Sequence, residues 1–237
     1  MHNWDITTAN KLAKIDNIRY RETKTANTNR LLICKDQTHI NFISNDYLGL
    51  STEQCLINAV IPAIEKYGIG STGAPTLTGH TLEHENLELQ LAKWLNFPRC
   101  LLFNSGYQLN IGIYKQLIND NTIIWSDKNC HASHIDGISL SKGKVRIFTA
   151  ASIDNVINTI KTLNDNLHII VTEGIFSMDG ICSYLDKLLQ LRSQYPNILL
   201  IVDDAHGIGT LGHNGFGTLE HLGLSLKLVD LYIGTLS

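Results

Sequence analysis

Beyond residue 40 the chain alternates short aliphatic runs with longer amphipathic stretches. The aliphatic runs fall at Cys100–Phe103, Thr122–Trp125, Val145–Phe148, His168–Val171, Ile198–Val202 and Val229–Ile233. Runs this short and apolar predict strands buried on both faces. Between them, apolar residues recur at helical spacing: Leu87, Leu91, Trp94 and Leu95; then Ile153, Val156, Ile157 and Ile160, with Ser152 placed as an N-cap; then Leu185, Leu188, Leu189 and Tyr195, stopped by Pro196. A further helix is predicted over Cys55–Tyr67, where Pro62 implies a kink or a late start. The polar first 40 residues suggest an N-terminal arm, with a helix near Ile6–Ile18 and a strand pair near Leu31–Ile40. The expected organisation is an arm over residues 1–44 and one α/β domain over 45–237. Strand–helix–strand spacing of about 30 residues implies parallel crossovers. A mainly parallel sheet flanked by helices binds ligands at the carboxyl ends of its strands.

Composition narrows the class. With 237 residues, 43% hydrophobic and 17% charged, the chain is long enough to bury a core and is neither disordered nor collagenous. The longest aliphatic run, Ile198–Val202, is far too short to span a membrane. A net charge of −3 without a basic block argues against nucleic acid. The N-terminus shows no signal-peptide pattern, and five scattered cysteines form no C-x-x-C pair. Reduced thiols in a cytoplasmic protein are the expectation.

Chemistry concentrates where the strands end. After Cys100–Phe103 comes Asn104-Ser105-Gly106-Tyr107, then a helical stretch. Free backbone N–H groups and the positive helix end there suit a phosphate, although an ordinary βα turn looks the same. After Thr122–Trp125 comes a segment containing His131 and His134, whose spacing permits a metal pair, a structural role, or stacking of one imidazole on a ring. Two further strands close on acids, Glu173 and Asp203, with His206 three residues beyond Asp203. A carboxylate at the buried end of an aliphatic strand requires a cationic or hydrogen-bonding partner.

Three motif matches carry less weight. Gly68–Gly73 fits G-x-G-x-x-G but follows a helical pattern rather than a strand. Gly207–Gly212 fits too and follows a strand, with Asp230 about 20 residues on as a ribose-binding acid would be, yet no helix start follows it. His80-Thr81-Leu82-Glu83-His84 matches a zinc-hydrolase pattern, but Gly79 before it places His80 outside or at the start of its helix.

Taken together, the strand-end segments resemble the α-oxoamine synthases, pyridoxal-phosphate (PLP) enzymes of fold type I. The matching stretches are Asn41–Leu50, Gly68–Gly73 with Thr78-Gly79-His80, Asn104–Tyr107, Ser126–Ser133, Thr172–Gly180 and Val202–Gly209, and they span essentially the whole chain. The resemblance implies a PLP-binding large domain in which Asp203 pairs with the pyridine nitrogen and His206 bonds the phenolic oxygen. His131 stacks on the ring. Gly106 and Tyr107 bind the phosphate, helped by Thr235. Glu173, Ser177 and Asn45 line the site near the phenolic oxygen and the reacting substrate, Ser177 binding the cofactor and Asn45, with His131, the substrate. Arg19, or Arg21 in its place, contacts a substrate carboxylate. His131, Glu173 and His206 are the implied catalytic residues, and no metal is implied.

The implied reaction is a decarboxylative condensation of an amino acid with an acyl thioester, carried by CoA or an acyl carrier protein, in a homodimer. The Asn45–Leu50 and Gly70–Gly73 wording leans to the biotin-biosynthetic branch, which uses L-alanine and a pimeloyl thioester. Branches making aminolevulinate, acting on glycine, or making sphingoid bases from serine share most of the motifs. The family's Schiff-base lysine would follow Thr235-Leu236-Ser237, where the sequence stops at the end of a predicted central strand. A truncated chain, inactive by itself, is therefore the expectation. A non-catalytic remnant and an NAD-dependent oxidoreductase built on Gly207–Gly212 stand as readings of a different class.

Overall fold

The computed structural model describes residues 24–28, 31–34, 37–141, 143–163 and 166–236. The helix expected near Ile6–Ile18, together with Arg19, Arg21 and Ser237, lies outside the described residues. The chain divides into two compact units, Met1–Gly68 and Ile69–Ser237.

In the first unit, β1 (Lys24–Thr28), β2 (Leu31–Cys34) and β3 (Gln37–Ile40) form an antiparallel meander, with Leu31 opposite Ile40 and Cys34 opposite Gln37. Helix α1 (Gln54–Tyr67) runs on through Pro62, which forgoes one backbone hydrogen bond. It ends at Gly68, whose φ of 77° a side chain would resist.

The second unit is built on a parallel sheet. Its strands are β4 (Thr122–Asp127), β5 (Lys144–Phe148), β6 (Leu167–Glu173), β7 (Ile198–Asp203) and β8 (Leu231–Ile233), in the order β5-β4-β6-β7-β8. The helices are α2 (Leu82–Leu95), α3 (Gly106–Leu117), α4 (Ala132–Ser141), α5 (Ile153–Thr162), α6 (Leu185–Gln194) and the short α7 (Thr218–His221). Five of the six expected strands are present. The sixth, Cys100–Phe103, pairs with no strand among the described residues: Leu102 N–H bonds Glu88 Oε1 at 2.9 Å, and Leu101 and Phe103 are exposed. An apolar run becomes a strand only where a neighbouring edge can take its N–H and C=O groups. β8, expected as a central strand, stands at the end of the order among the described residues. Ser152 occupies the N-cap of α5 as expected, yet its hydroxyl donates back to Thr149 C=O at 3.1 Å instead of capping.

Both faces of the sheet are covered over β4, β6 and β7, which is why those strands are largely aliphatic. β5, at the edge of the order among the described residues, buries only Phe148 and leaves Val145 and Ile147 exposed. The expectation that this run is buried on both faces fails there, where no further strand or helix among the described residues covers it. One face carries Ile123, Trp125, Ile170, Leu200 and Val202 against Ile153, Val156 and Ile160 of α5 and Leu185, Leu188 and Leu189 of α6. The other carries Ile124, Ile169, Val171 and Ile201 against Tyr114 of α3 and Ile138 of α4. This division follows from connection handedness. The β4-to-β5 crossover runs one way along the sheet and the β5-to-β6 and β6-to-β7 crossovers the other, so right-handed connections put α4 on the face opposite α5 and α6. β4 and β6 are thus neighbours whose outgoing crossovers leave in opposite directions, and the carboxyl end of a parallel sheet at such a switch is where α/β proteins bind ligands.

Candidate active site

Glu173 and Asp203 are the last residues of β6 and β7 and face each other in register. Side chains alternate along a strand, so the two acids share the face that carries Val171 and Ile201, covered by α3 and α4. Both are buried, Glu173 to 3% exposure and Asp203 to 8%.

Asp203 is met by three donors. His134 Nε2 lies 2.9 Å and Asn110 Nδ2 3.2 Å from Oδ2, while Ala205 N–H donates to Oδ1 at 3.2 Å. Burial alone would raise this carboxyl; the bonds from His134, Asn110 and Ala205 outweigh it and hold Asp203 below the usual carboxylate range. Asp203 is therefore ionised at neutral pH. Glu173 takes the backbone N–H of His131 at 2.5 Å. Burial pushes it up to about 7, the His131 N–H opposing and the Asp203 charge adding to the rise. Two neighbouring acids thus hold opposite protonation tendencies, a pattern that separates a fixed anion from a group able to hold or release a proton.

His131 follows β4. Its ring is exposed and oriented by Ser133, whose Oγ lies 2.8 Å from Nδ1. Ser133 Oγ also accepts from Asn110 at 3.0 Å, so His131 and Asp203 are joined through one chain of polar side chains. His131 and His134 do not converge as metal ligands: both ring nitrogens of His134 turn inward, to Asp203 and to Tyr114. Among the described residues no three metal-ligating side chains cluster.

Helix α3 starts where a phosphate site was expected. Ser105 caps it, accepting from Gln108 N–H at 3.2 Å. Gly106 at its first turn lies beside Thr235, beyond β8: a Cβ on Gly106 would come within 3.1 Å of Thr235 Cγ2. Tyr107 donates its hydroxyl to Asp136 of α4 at 2.7 Å, which leaves its backbone N–H as the group able to serve an anion. His206 sits half-buried in the turn after β7, and its C=O accepts from Thr210. Ser177 is exposed, its backbone N–H directed at Glu173. Asn45 belongs to the first unit, where its Oδ1 accepts from Tyr47 at 3.3 Å. Arg19 lies outside the described residues.

The turn that carries His206 is organised by Asp204, which the sequence reading did not single out. Its fully buried carboxylate accepts from Thr218 N–H and Oγ1 at 2.6 Å each and from the Tyr232 hydroxyl at 2.5 Å. Gly174, Gly207 and Gly217 leave room for it; a Cβ on any of them would lie within 2.2 Å of its carboxylate. Asn110, Tyr114, Ser133 and His134 were also not assigned to Asp203. A faint signal existed, since Asn110 and Tyr114 stand four apart among the apolar Leu109, Ile113 and Leu117 of α3.

The dinucleotide reading of Gly207–Gly212 does not survive. The segment is a run of turns, and Asp230 is held by Arg192 Nε at 2.7 Å, Arg192 Nη2 at 2.9 Å and Leu200 N–H at 2.8 Å. Its carboxylate is thus engaged as the ion-pair partner of Arg192 and a cap on the β7 backbone. In the zinc-like motif, His84 Nδ1 is engaged by Thr81 at the start of α2 and His80 meets Glu88 at 3.4 Å.

A parallel sheet whose crossovers diverge between β4 and β6, an ionised acid buried at one strand end and a glycine-initiated helix beside it define a fold-type-I architecture. Residues 37–237 match the family of class I and II aminotransferases, and the chain belongs to that family. Within it, the chain is 38% identical over 220 residues to the 8-amino-7-oxononanoate synthase of Cellvibrio japonicus, covering 92% of this chain and 55% of that protein. It superposes on the 8-amino-7-oxononanoate synthase of Francisella tularensis with a TM-score of 0.66 at 37% identity, over 78% of this chain and 51% of that one. A serine palmitoyltransferase from S. paucimobilis, solved with bound PLP and myriocin, gives a TM-score of 0.86 at 24% identity over 98% of this chain and 61% of that one, a likeness of fold. These matches bear out the resemblance to the α-oxoamine synthases. The chain spans a little over half the length of the relatives it matches.

Proposed function

We propose that this chain carries the cofactor-binding half of an α-oxoamine synthase which condenses L-alanine with a pimeloyl thioester, on CoA or a carrier protein, to 8-amino-7-oxononanoate with loss of CO2. The observation that carries the reading is Asp203. An anion held at that depth suits one class of partner, a heterocycle with a cationic N–H, and the pyridine ring of PLP is such a group. The glycine cradle at Gly106 beside Thr235 suits its phosphate.

When bound, PLP supplies an electron sink for negative charge developed on the amino acid's α-carbon. The protein's own residues set the conditions for that. Asp203 keeps the ring nitrogen protonated. The backbone N–H groups of Gly106 and Tyr107, with the Thr235 hydroxyl, hold the phosphate. His131, steadied by Ser133, packs on the ring and shields it from water. His206 donates to the phenolic oxygen. Glu173, titrating near neutrality, holds a proton close to the reacting side and orients His131 through its backbone N–H. By the family resemblance Ser177 is assigned to the cofactor, near its phenolic oxygen, and Asn45 and Arg19, with His131, to the substrate. The whole protein acts as a homodimer in the cytoplasm, and no helix among the described residues is long and apolar enough to cross a membrane.

The names of the sequence relatives support alanine and a pimeloyl donor; the serine palmitoyltransferase fold supports serine and a long-chain acyl donor as a second reading. A CO2-release assay on the full-length protein decides between them. Alanine with pimeloyl-CoA or the pimeloyl carrier is expected to turn over fastest among alanine, glycine and serine paired with pimeloyl, acetyl and palmitoyl donors. Faster turnover of serine or glycine would overturn the assignment.

A further inference from the structure

Asp203 would not stay ionised at its depth without help, and that help comes from a side-chain chain spanning two helices. His134, with no solvent exposure, presents Nε2 to Asp203 Oδ2 and Nδ1 to the Tyr114 hydroxyl. The carboxylate can only accept, so Nε2 carries a proton toward Oδ2, and the Tyr114 hydroxyl holds Nδ1 on the other side of the ring. Burial pushes the Tyr114 phenol well up, so it keeps its proton and stays neutral beside the ring. The link to Asp203 therefore has a fixed direction, Nε2–H to carboxylate, and Tyr114 fixes the orientation of the ring that makes it. Oδ2 receives both His134 and Asn110, whereas Oδ1 receives Ala205 N–H, which leaves Oδ1 the better placed of the two to accept from a further N–H.

The close approach of the helices that makes this possible is itself built in. Gly137 on α4 lies against α3, and a Cβ there would stand 2.2 Å from Asn110 C=O and 2.9 Å from the Tyr114 ring. Only glycine lets α4 come near enough to α3 for His134 to reach Tyr114 and Asp203 together.

We propose that Tyr114 and His134 are positioning residues that lock Asp203 as an oriented carboxylate, with Oδ2 satisfied by the protein and Oδ1 presented to the ring nitrogen of the cofactor. This rests on the reading that Asp203 meets that nitrogen. Neither residue touches the reacting atoms; both act through Asp203. Losing the His134 donor leaves a buried carboxyl that prefers to be neutral, and a neutral acid no longer favours a cationic ring.

The test measures PLP affinity and the absorption spectrum of the bound cofactor in the full-length protein, with thermal unfolding recorded for each variant. His134→Leu is expected to weaken PLP binding about tenfold or more and to shift the absorption band, as befits loss of a hydrogen bond to a charged group. Tyr114→Phe should weaken it several-fold. His134→Gln, whose amide can still donate to Oδ2, should restore most of the affinity. Asp203→Asn serves as the reference. If it leaves affinity and spectrum unchanged, the assignment of Asp203 to the ring nitrogen falls. If it impairs both while His134→Leu and Tyr114→Phe bind as wild type, the positioning role alone is overturned. A His134→Gln variant no better than His134→Leu overturns it as well. Should His134→Leu fail to fold, Tyr114→Phe and His134→Gln carry the decision, and wild-type PLP affinity in Tyr114→Phe refutes the relay.

Discussion

Gly137→Ala isolates the packing that holds the site together. The added Cβ would meet Asn110 C=O at 2.2 Å and the Tyr114 ring at 2.9 Å. Comfortable carbon contacts begin near 3.5 Å, so α3 and α4 must separate by roughly 1 Å. Overpacking of this kind costs about 1–3 kcal/mol, and a backbone carbonyl cannot rotate away as a side chain can, which places the cost at the upper end. Against it stands the gain of about 0.5–1 kcal/mol from replacing glycine by alanine within a helix. The net is a destabilisation of roughly 2 kcal/mol, or about 4–8 °C in Tm for a chain of this size. Gly112→Ala on the neighbouring helix is the control. Nothing lies within 4 Å of its Cβ position, so the helical gain is unopposed and Tm should rise by about 1–4 °C. Thermal unfolding followed by circular dichroism reads both. If Gly137→Ala proved as stable as Gly112→Ala, the close approach of α3 and α4 would not be what fixes His134 on Asp203, and the account of the site would need another basis.

Two further substitutions probe the acids. Glu173 titrates near 7 in the fold against an ordinary 4.5, so the folded state binds the extra proton and stability falls as pH rises between those values. Glu173→Gln removes that slope, and urea unfolding at pH 4.5 and at pH 7.5 should show the variant gaining on the wild type at the higher pH; parallel profiles would contradict the burial argument. Asp204→Ala strands the Thr218 and Tyr232 donors in the turn that carries His206, and is expected to cost about 3 kcal/mol or more in denaturant unfolding. A loss below about 0.5 kcal/mol, the range of an ordinary surface change, would mean that Asp204 does not organise that turn.

The sequence by itself determined the strands, the acids that end them and the family. Aliphatic runs of four or five residues bounded by polar turns have few alternatives to buried parallel strands, and a carboxylate closing such a run announces an unusual environment. Glu173 and Asp203 were legible for that reason, and Gly106 as the glycine that opens a helical stretch. Cys100–Phe103 was misread because periodicity reports what a segment could pair with, never whether an edge is available. What the sequence could not show was the set of groups that keeps Asp203 charged. Asn110, Tyr114 and His134 lie 93, 89 and 69 positions away, on helices whose placement over that face depends on the direction of each crossover. Local pattern fixes which residues point the same way along one strand. Which helix lands on that side, and so which side chains meet the acid, is set by the order of strands in the sheet and the hand of the connections, and only the tertiary structure decides it.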